Sequence, residues 1–114
     1  AISRDGMPVI NPRLLAESYF ILEDPVFVEY RLMGTADLAE LTAEKAKNHD
    51  VLLLENHGVV CLGKSMLEGF DKIELLERAA QMTLATVQMR EAGYTVSSLT
   101  ESRMKELMVM KGKA

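Results

Sequence analysis

The sequence predicts an α/β domain in three layers, with a mixed, mostly antiparallel sheet flanked by helices. Three observations predict it. Two apolar runs, Val51-Leu52-Leu53-Leu54 and Val59-Val60-Cys61-Leu62, bracket a short polar turn and lack the alternation of a strand that faces water on one side. Capping patterns introduce helical periodicity after Thr35, Ser65 and Ser98. Strand-like and helix-like segments follow one another without an internal repeat, low-complexity tract or linker, so residues 1–114 are expected to form one α/β domain.

Residues 1–12 combine Gly6, Pro8 and Pro12 with short apolar pairs and read as a connection holding at most one brief strand. Residues 13–22 are compatible with a helix, which must stop before Pro25 because that ring pushes Asp24 toward an extended backbone. Residues 26–32 have the β-branched and aromatic content of a strand, with Val26, Val28 and Tyr30 on one face and Gly34 ending it. Thr35 is a suitable N-cap, Asp37 puts negative charge in the first turn, and Leu38, Leu41, Lys45 and Ala46 continue at helical spacing to about Lys47.

The two apolar runs come next and are expected to be central strands, buried on both faces. Gly63-Lys64 turns the chain, and Ser65 with Glu68 forms a capping box that opens a long helix over residues 66–92. Its stripe of Phe70, Ile73, Leu76, Ala80, Leu84 and Val87 is widened by Leu67, Leu75, Ala79 and Met82, a width that implies contacts on two sides. Gly93 ends this helix. Ser98 and Glu101 repeat the box before a final short helix carrying Met104, Leu107, Met108 and Lys111.

Composition excludes several classes of function. A chain of 114 residues has no room for two independent cores, and 48% hydrophobic with 26% charged residues describes a folded domain. Thirteen Lys and Arg against 17 Asp and Glu give a net charge of −4, and without a basic cluster this argues against binding nucleic acid. No apolar stretch approaches the ~20 residues that span a bilayer, and the first residues lack a signal-peptide pattern. Cys61 is the single cysteine, with no CxxC neighbour, which fits a reducing cytoplasm. The eight methionines, concentrated in the last third, read as flexible core filler.

Few residues remain for chemistry. The chain has two histidines and none of the common nucleotide, phosphate-loop, nucleophile-elbow or zincin motifs. His49 follows a helix, where a positive group at the helix C-terminus is common. His57 lies in Asn56-His57-Gly58, an interruption of apolar strand sequence whose glycine admits close approach of a ligand or metal. Spacing alone leaves two readings open, a plain turn or a metal ligand. Neither His49 nor Cys61 stands at a spacing that converges on His57. Glu55, Glu74 and Glu77 are conceivable acid–base groups, but Glu74 and Glu77 with Arg78 resemble a solvated helix face. Gly63-Lys64-Ser65 reads as a plain helix cap rather than an anion site.

Residues 51–60, VLLLENHGVV, followed by Gly63-Lys64-Ser65 and Leu75-Leu76-Glu77-Arg78-Ala79-Ala80, resemble the class II aldolase/adducin family. Pro25-Val26-Phe27-Val28-Glu29-Tyr30 with Gly34-Thr35 is similar to that family's strand and Gly-Thr segment, and the resemblance covers residues 1–92. It implies that His57 is the third zinc ligand of a class II aldolase-like fold. The family's His-x-His ligand pair, catalytic glutamate and phosphate-binding loops lie earlier in its sequences. Ala1-Ile2-Ser3 look like the stretch just after that pair, so the chain resembles a C-terminal half, with one ligand and no identified catalytic residue. Some members use a tyrosine across a subunit contact; the corresponding region here is Asn11-Pro12, and that role is not carried over.

The resemblance further implies a zinc-dependent lyase that cleaves a phosphorylated carbonyl compound such as a sugar phosphate through a metal-stabilised enediolate, in a cytoplasmic homotetramer. Dehydratases, epimerases and decarboxylases share the scaffold, and a noncatalytic adducin-like assembly module is the alternative from another class.

Overall fold

The computed structural model describes the backbone of residues 3–4 and 7–8 and all of residues 10–113. In chain order the elements are β1 (Ser3–Arg4), β2 (Met7–Pro8), a 3-10 turn (Pro12–Leu14), α1 (Ala16–Leu22), β3 (Val26–Val28), α2 (Ala36–Ala46), β4 (Val51–Leu54), β5 (Gly58–Cys61), α3 (Met66–Glu91) and α4 (Glu101–Lys111). They divide into two compact units, residues 1–9 with 24–73 and residues 10–23 with 74–114.

The first unit is built on a three-stranded sheet in the order β3-β4-β5. Strand β3 runs parallel to β4, with Val26, Phe27 and Val28 opposite Leu52, Leu53 and Leu54. Strand β5 returns antiparallel, with Val51 opposite Cys61 and Leu54 opposite Gly58. The sheet is therefore mixed, as expected, but its two ladders are one of each kind and not mostly antiparallel. The apolar content of β4 is explained by its central place: Val51, Leu52 and Leu53 are buried, as is Val28 beside them. Helix α2 packs on β3 and β4. Its N-cap is Thr35, whose hydroxyl accepts the Leu38 N–H at 3.4 Å and donates to the Leu32 carbonyl at 2.6 Å. A separate two-residue antiparallel ladder joins β1 and β2, where the sequence suggested at most one strand.

Other expectations for this unit need correction. Strand β3 ends at Val28, and Tyr30 lies beyond it, 55% exposed, because the partner strand turns away after Leu54. Strand β5 is not central: within the described sheet it pairs only with β4, and Gly58 and Val59 are exposed.

In the second unit α1 packs on the 3-10 turn and on α4. The helix expected over residues 13–22 is broken at Leu15, whose backbone is extended. The Asn11 N–H donates to Thr83 Oγ1 at 2.8 Å, and its side-chain amide reaches Ser98 Oγ at 3.2 Å. Ser98 is thus not the cap of α4; Thr100 is, accepting the Arg103 N–H at 3.3 Å. Lys111 Nζ donates to the Phe20 carbonyl at 2.6 Å and to Glu23 Oε2 at 2.8 Å, and Lys113 Nζ reaches the same carboxylate at 2.7 Å. Burial opposes the Glu23 charge, but the hydrogen bonds and positive charges of Lys111 and Lys113 outweigh it and hold its carboxyl below the usual range.

Helix α3 gives residues 66–73 to the first unit and 74–91 to the second. Its N-terminus has half of the expected capping box, the Glu68 N–H donating to Ser65 Oγ at 3.1 Å, while the Glu68 carboxylate faces Lys72 at 3.5 Å. Its C-terminus closes through Gly93 at φ 92°, where Gly93 N–H reaches Arg90 O and Tyr94 N–H reaches Met89 O. That pair of bonds is a Schellman closure, and only glycine adopts the required backbone cheaply. The buried line of α3 is Lys72, Leu76, Ala79 and Thr83, two of them polar. Phe70, Ile73, Leu84 and Val87 of the expected stripe are each 44% exposed or more. Methionine is not mainly core filler either: Met104 is buried, whereas Met33, Met66, Met89 and Met110 are exposed.

Candidate metal-binding turn

The pairing of Leu54 with Gly58 leaves Glu55, Asn56 and His57 as the tip of the β4–β5 hairpin. The His57 N–H donates to the Leu54 carbonyl at 3.1 Å and closes a four-residue turn. Asn56 occupies its third position with φ 52°, the sign a type II turn requires there and one that asparagine tolerates. The sequence Asn-His-Gly is thus a turn by chemistry as well as by composition.

Glu55 joins this tip to β3 through two bonds. Its N–H donates to the Val28 carbonyl at 3.0 Å, and its carboxylate Oε1 accepts the Tyr30 N–H at 3.0 Å. The residues after β3 are tied in turn to α2 by Arg31–Asp37 at 3.3 Å and Lys45–Glu29 at 3.7 Å.

At the end of this frame His57 is exposed, and among the described residues its ring has no hydrogen-bond or ion-pair partner in the protein. An accessible imidazole on a hydrogen-bonded turn suits a metal donor, because both ring nitrogens stay available and the backbone is fixed. The other candidates are elsewhere. His49 Nδ1 lies 3.3 Å from the Lys45 carbonyl near the end of α2, the structural place expected of it. Burial pushes the Cys61 thiol above its ordinary value, with the Lys72 charge opposing, so it is neither a ready nucleophile nor a ready ligand. Glu74, Glu77 and Arg78 are exposed on α3, as a solvated face requires. No group of three His, Cys, Asp or Glu able to hold a metal occurs among the described residues.

Two features escaped the sequence reading. Lys72, 6% exposed, donates to the Leu62 carbonyl at 2.5 Å and faces Asp50 and Glu68 at 3.5 Å each, at the hairpin end opposite His57. Its i,i+4 relation to Glu68 was the available signal. The second is an open apolar groove of about 680 Å³ between α2 and the sheet, lined by Leu38, Thr42, Leu54 and Val60 among others. His57 is not part of its lining, so the groove and the candidate ligand are separate features.

A mixed sheet with this hairpin and helix order has a known counterpart. Residues 1–84 match the model of the class II aldolase and adducin N-terminal domain. The chain belongs to the class II aldolase and adducin family. It is 38% identical over 78 residues to an L-fuculose phosphate aldolase of Methanocaldococcus jannaschii, covering 68% of this chain and 42% of that protein. It is 29% identical over 82 residues to a rhamnulose-1-phosphate aldolase of Bacteroides thetaiotaomicron, covering 72% of this chain and 29% of the relative. Among solved structures it is similar to YgbL of Klebsiella pneumoniae, described as a candidate aldolase/epimerase/decarboxylase, with TM-score 0.73 and 26% identity over 91% of this chain and 49% of that one. The chain therefore spans less than half the length of these relatives.

Proposed function

We propose that this chain is the C-terminal half of a class II aldolase-like domain in a metal-dependent lyase, and that His57 donates one ligand to a zinc ion. The observation that carries the reading is the accessible His57 ring on a turn fixed by Leu54 and Glu55, inside the segment shared with two sugar-phosphate aldolases. A catalytic zinc typically takes three protein ligands, so the remaining donors and the acid–base group would come from polypeptide outside residues 1–114. When bound, the zinc supplies a Lewis acid for the carbonyl oxygen on which negative charge develops as the carbon–carbon bond breaks. The part of this chain is to hold one donor in place.

The substrate class is a phosphorylated ketose, by analogy with the fuculose and rhamnulose phosphates named for the relatives. The setting implied is a cytoplasmic homotetramer. Incubating the full-length protein with L-fuculose 1-phosphate or L-rhamnulose 1-phosphate tests this reading: an aldehyde and a triose phosphate should form, chelation should stop the reaction, and zinc should restore it. The description of YgbL favours a second reading, epimerisation or decarboxylation on the same scaffold, which would consume substrate without releasing an aldehyde. The adducin part of the matched family supports a third, a noncatalytic adducin-like module, which would bind no zinc and turn over neither compound.

A further inference from the structure

We propose that Glu55 is a positioning residue for His57, its carboxylate standing in for a ladder carbonyl where the β3–β4 pairing runs out. The inference rests on the reading of His57 as a metal ligand for its purpose, but its geometry is independent of any metal.

In a parallel ladder alternate residues of one strand bond to the neighbour, so Val28 is followed as a bonding residue by Tyr30. The Val28 carbonyl takes the Glu55 N–H at 3.0 Å, the last backbone bond of the ladder. The next donor, Tyr30 N–H, would then meet the backbone carbonyl of residue 55. The chain has already entered the turn at Asn56, φ 52°, and the donor is instead taken by Glu55 Oε1 at 3.0 Å. One residue thus holds the end of β3 with its backbone and Tyr30, just beyond it, with its side chain, two positions before His57. The turn's own closing bond, His57 N–H to Leu54 O, fixes the turn but not its tilt against the sheet. The Glu55 carboxylate supplies that second point of attachment and limits the directions in which the imidazole projects. An oxygen acceptor is what the position requires, so the uncharged amide of glutamine should serve.

The test compares the wild-type full-length protein with Glu55→Ala and Glu55→Gln, first without metal. Amide exchange at Tyr30 is read against Leu53, a buried β4 residue that reports opening of the sheet. The His57 ring signals are followed by NMR. Glu55→Ala should raise Tyr30 exchange about tenfold while Leu53 is unchanged, and should broaden or split the His57 signals. Glu55→Gln should restore both. Zinc affinity should then fall about tenfold or more in Glu55→Ala and recover in Glu55→Gln, as for other groups that orient a ligand. Unchanged Tyr30 exchange and His57 signals in Glu55→Ala, or no rescue by Glu55→Gln, would overturn the proposal. A wild-type protein that takes up no zinc but shows the exchange and ring effects overturns the metal reading and leaves the brace standing.

Discussion

The β4–β5 hairpin treats its two ends in opposite ways. At one end the Lys72 ammonium is buried and spends its hydrogen bonds inward, on the Leu62 carbonyl and toward Asp50 and Glu68. At the other, among the described residues, the Glu55–His57 turn is bonded through its backbone and one carboxylate, and the imidazole is exposed. Both ends are polar, but one is a fastening and the other a display. A buried charge lacking partners is costly, so the Lys72 end is under folding constraint. An exposed histidine on a tight turn has little effect on folding.

This contrast breaks or sharpens under substitution. Leu52→Ala, in the fully buried middle of the hairpin, should cost about 2–5 kcal/mol and loosen both ends together, as read by urea unfolding. Lys72→Met keeps most of the volume but leaves the Leu62 carbonyl unpaired; a loss of about 2 kcal/mol is expected, mainly from that bond. Asp50 is exposed and Glu68 half-exposed, so their ion pairs are expected to add less than the buried carbonyl bond. A loss below about 0.5 kcal/mol would remove the fastening from the account.

The second unit offers a parallel to the inward-spent end. Because its folded pKa is lowered, the Glu23 carboxylate contributes stability above its unfolded pKa, and that contribution is lost as pH falls through the lower folded value. Acid unfolding followed by circular dichroism should show a weaker pH dependence below about pH 4.3 in Glu23→Gln. The smallest effect is expected at the displayed end: in the metal-free protein His57→Ala should change unfolding free energy by less than about 0.5 kcal/mol.

Much of this was legible in the sequence where local chemistry decides the structure. Thr35, Ser65 and Gly93 announce helix ends by hydrogen bonds that depend on neighbouring residues only, and each does so in the structure. The unbroken apolar run of β4 correctly marks a strand buried on both faces. The equally apolar run of β5 misleads, because burial depends on what covers a strand and within the described sheet β5 has one neighbour. The premature end of β3 at Val28 and the shift of the α4 cap from Ser98 to Thr100 have the same origin, for both depend on partners distant in sequence, Glu55 and Asn11. Asn56-His57-Gly58 was visible as a turn; the attachment of that turn to Tyr30 was not, since nothing local signals it.

The most direct measurement is the zinc content of the full-length protein and of His57→Ala, determined by mass spectrometry of metals after gel filtration, with urea unfolding in parallel. The account predicts zinc in the wild type, its loss in His57→Ala, and unfolding curves that coincide once both proteins are stripped of metal by chelation. Equal zinc in both proteins would contradict the role given to His57.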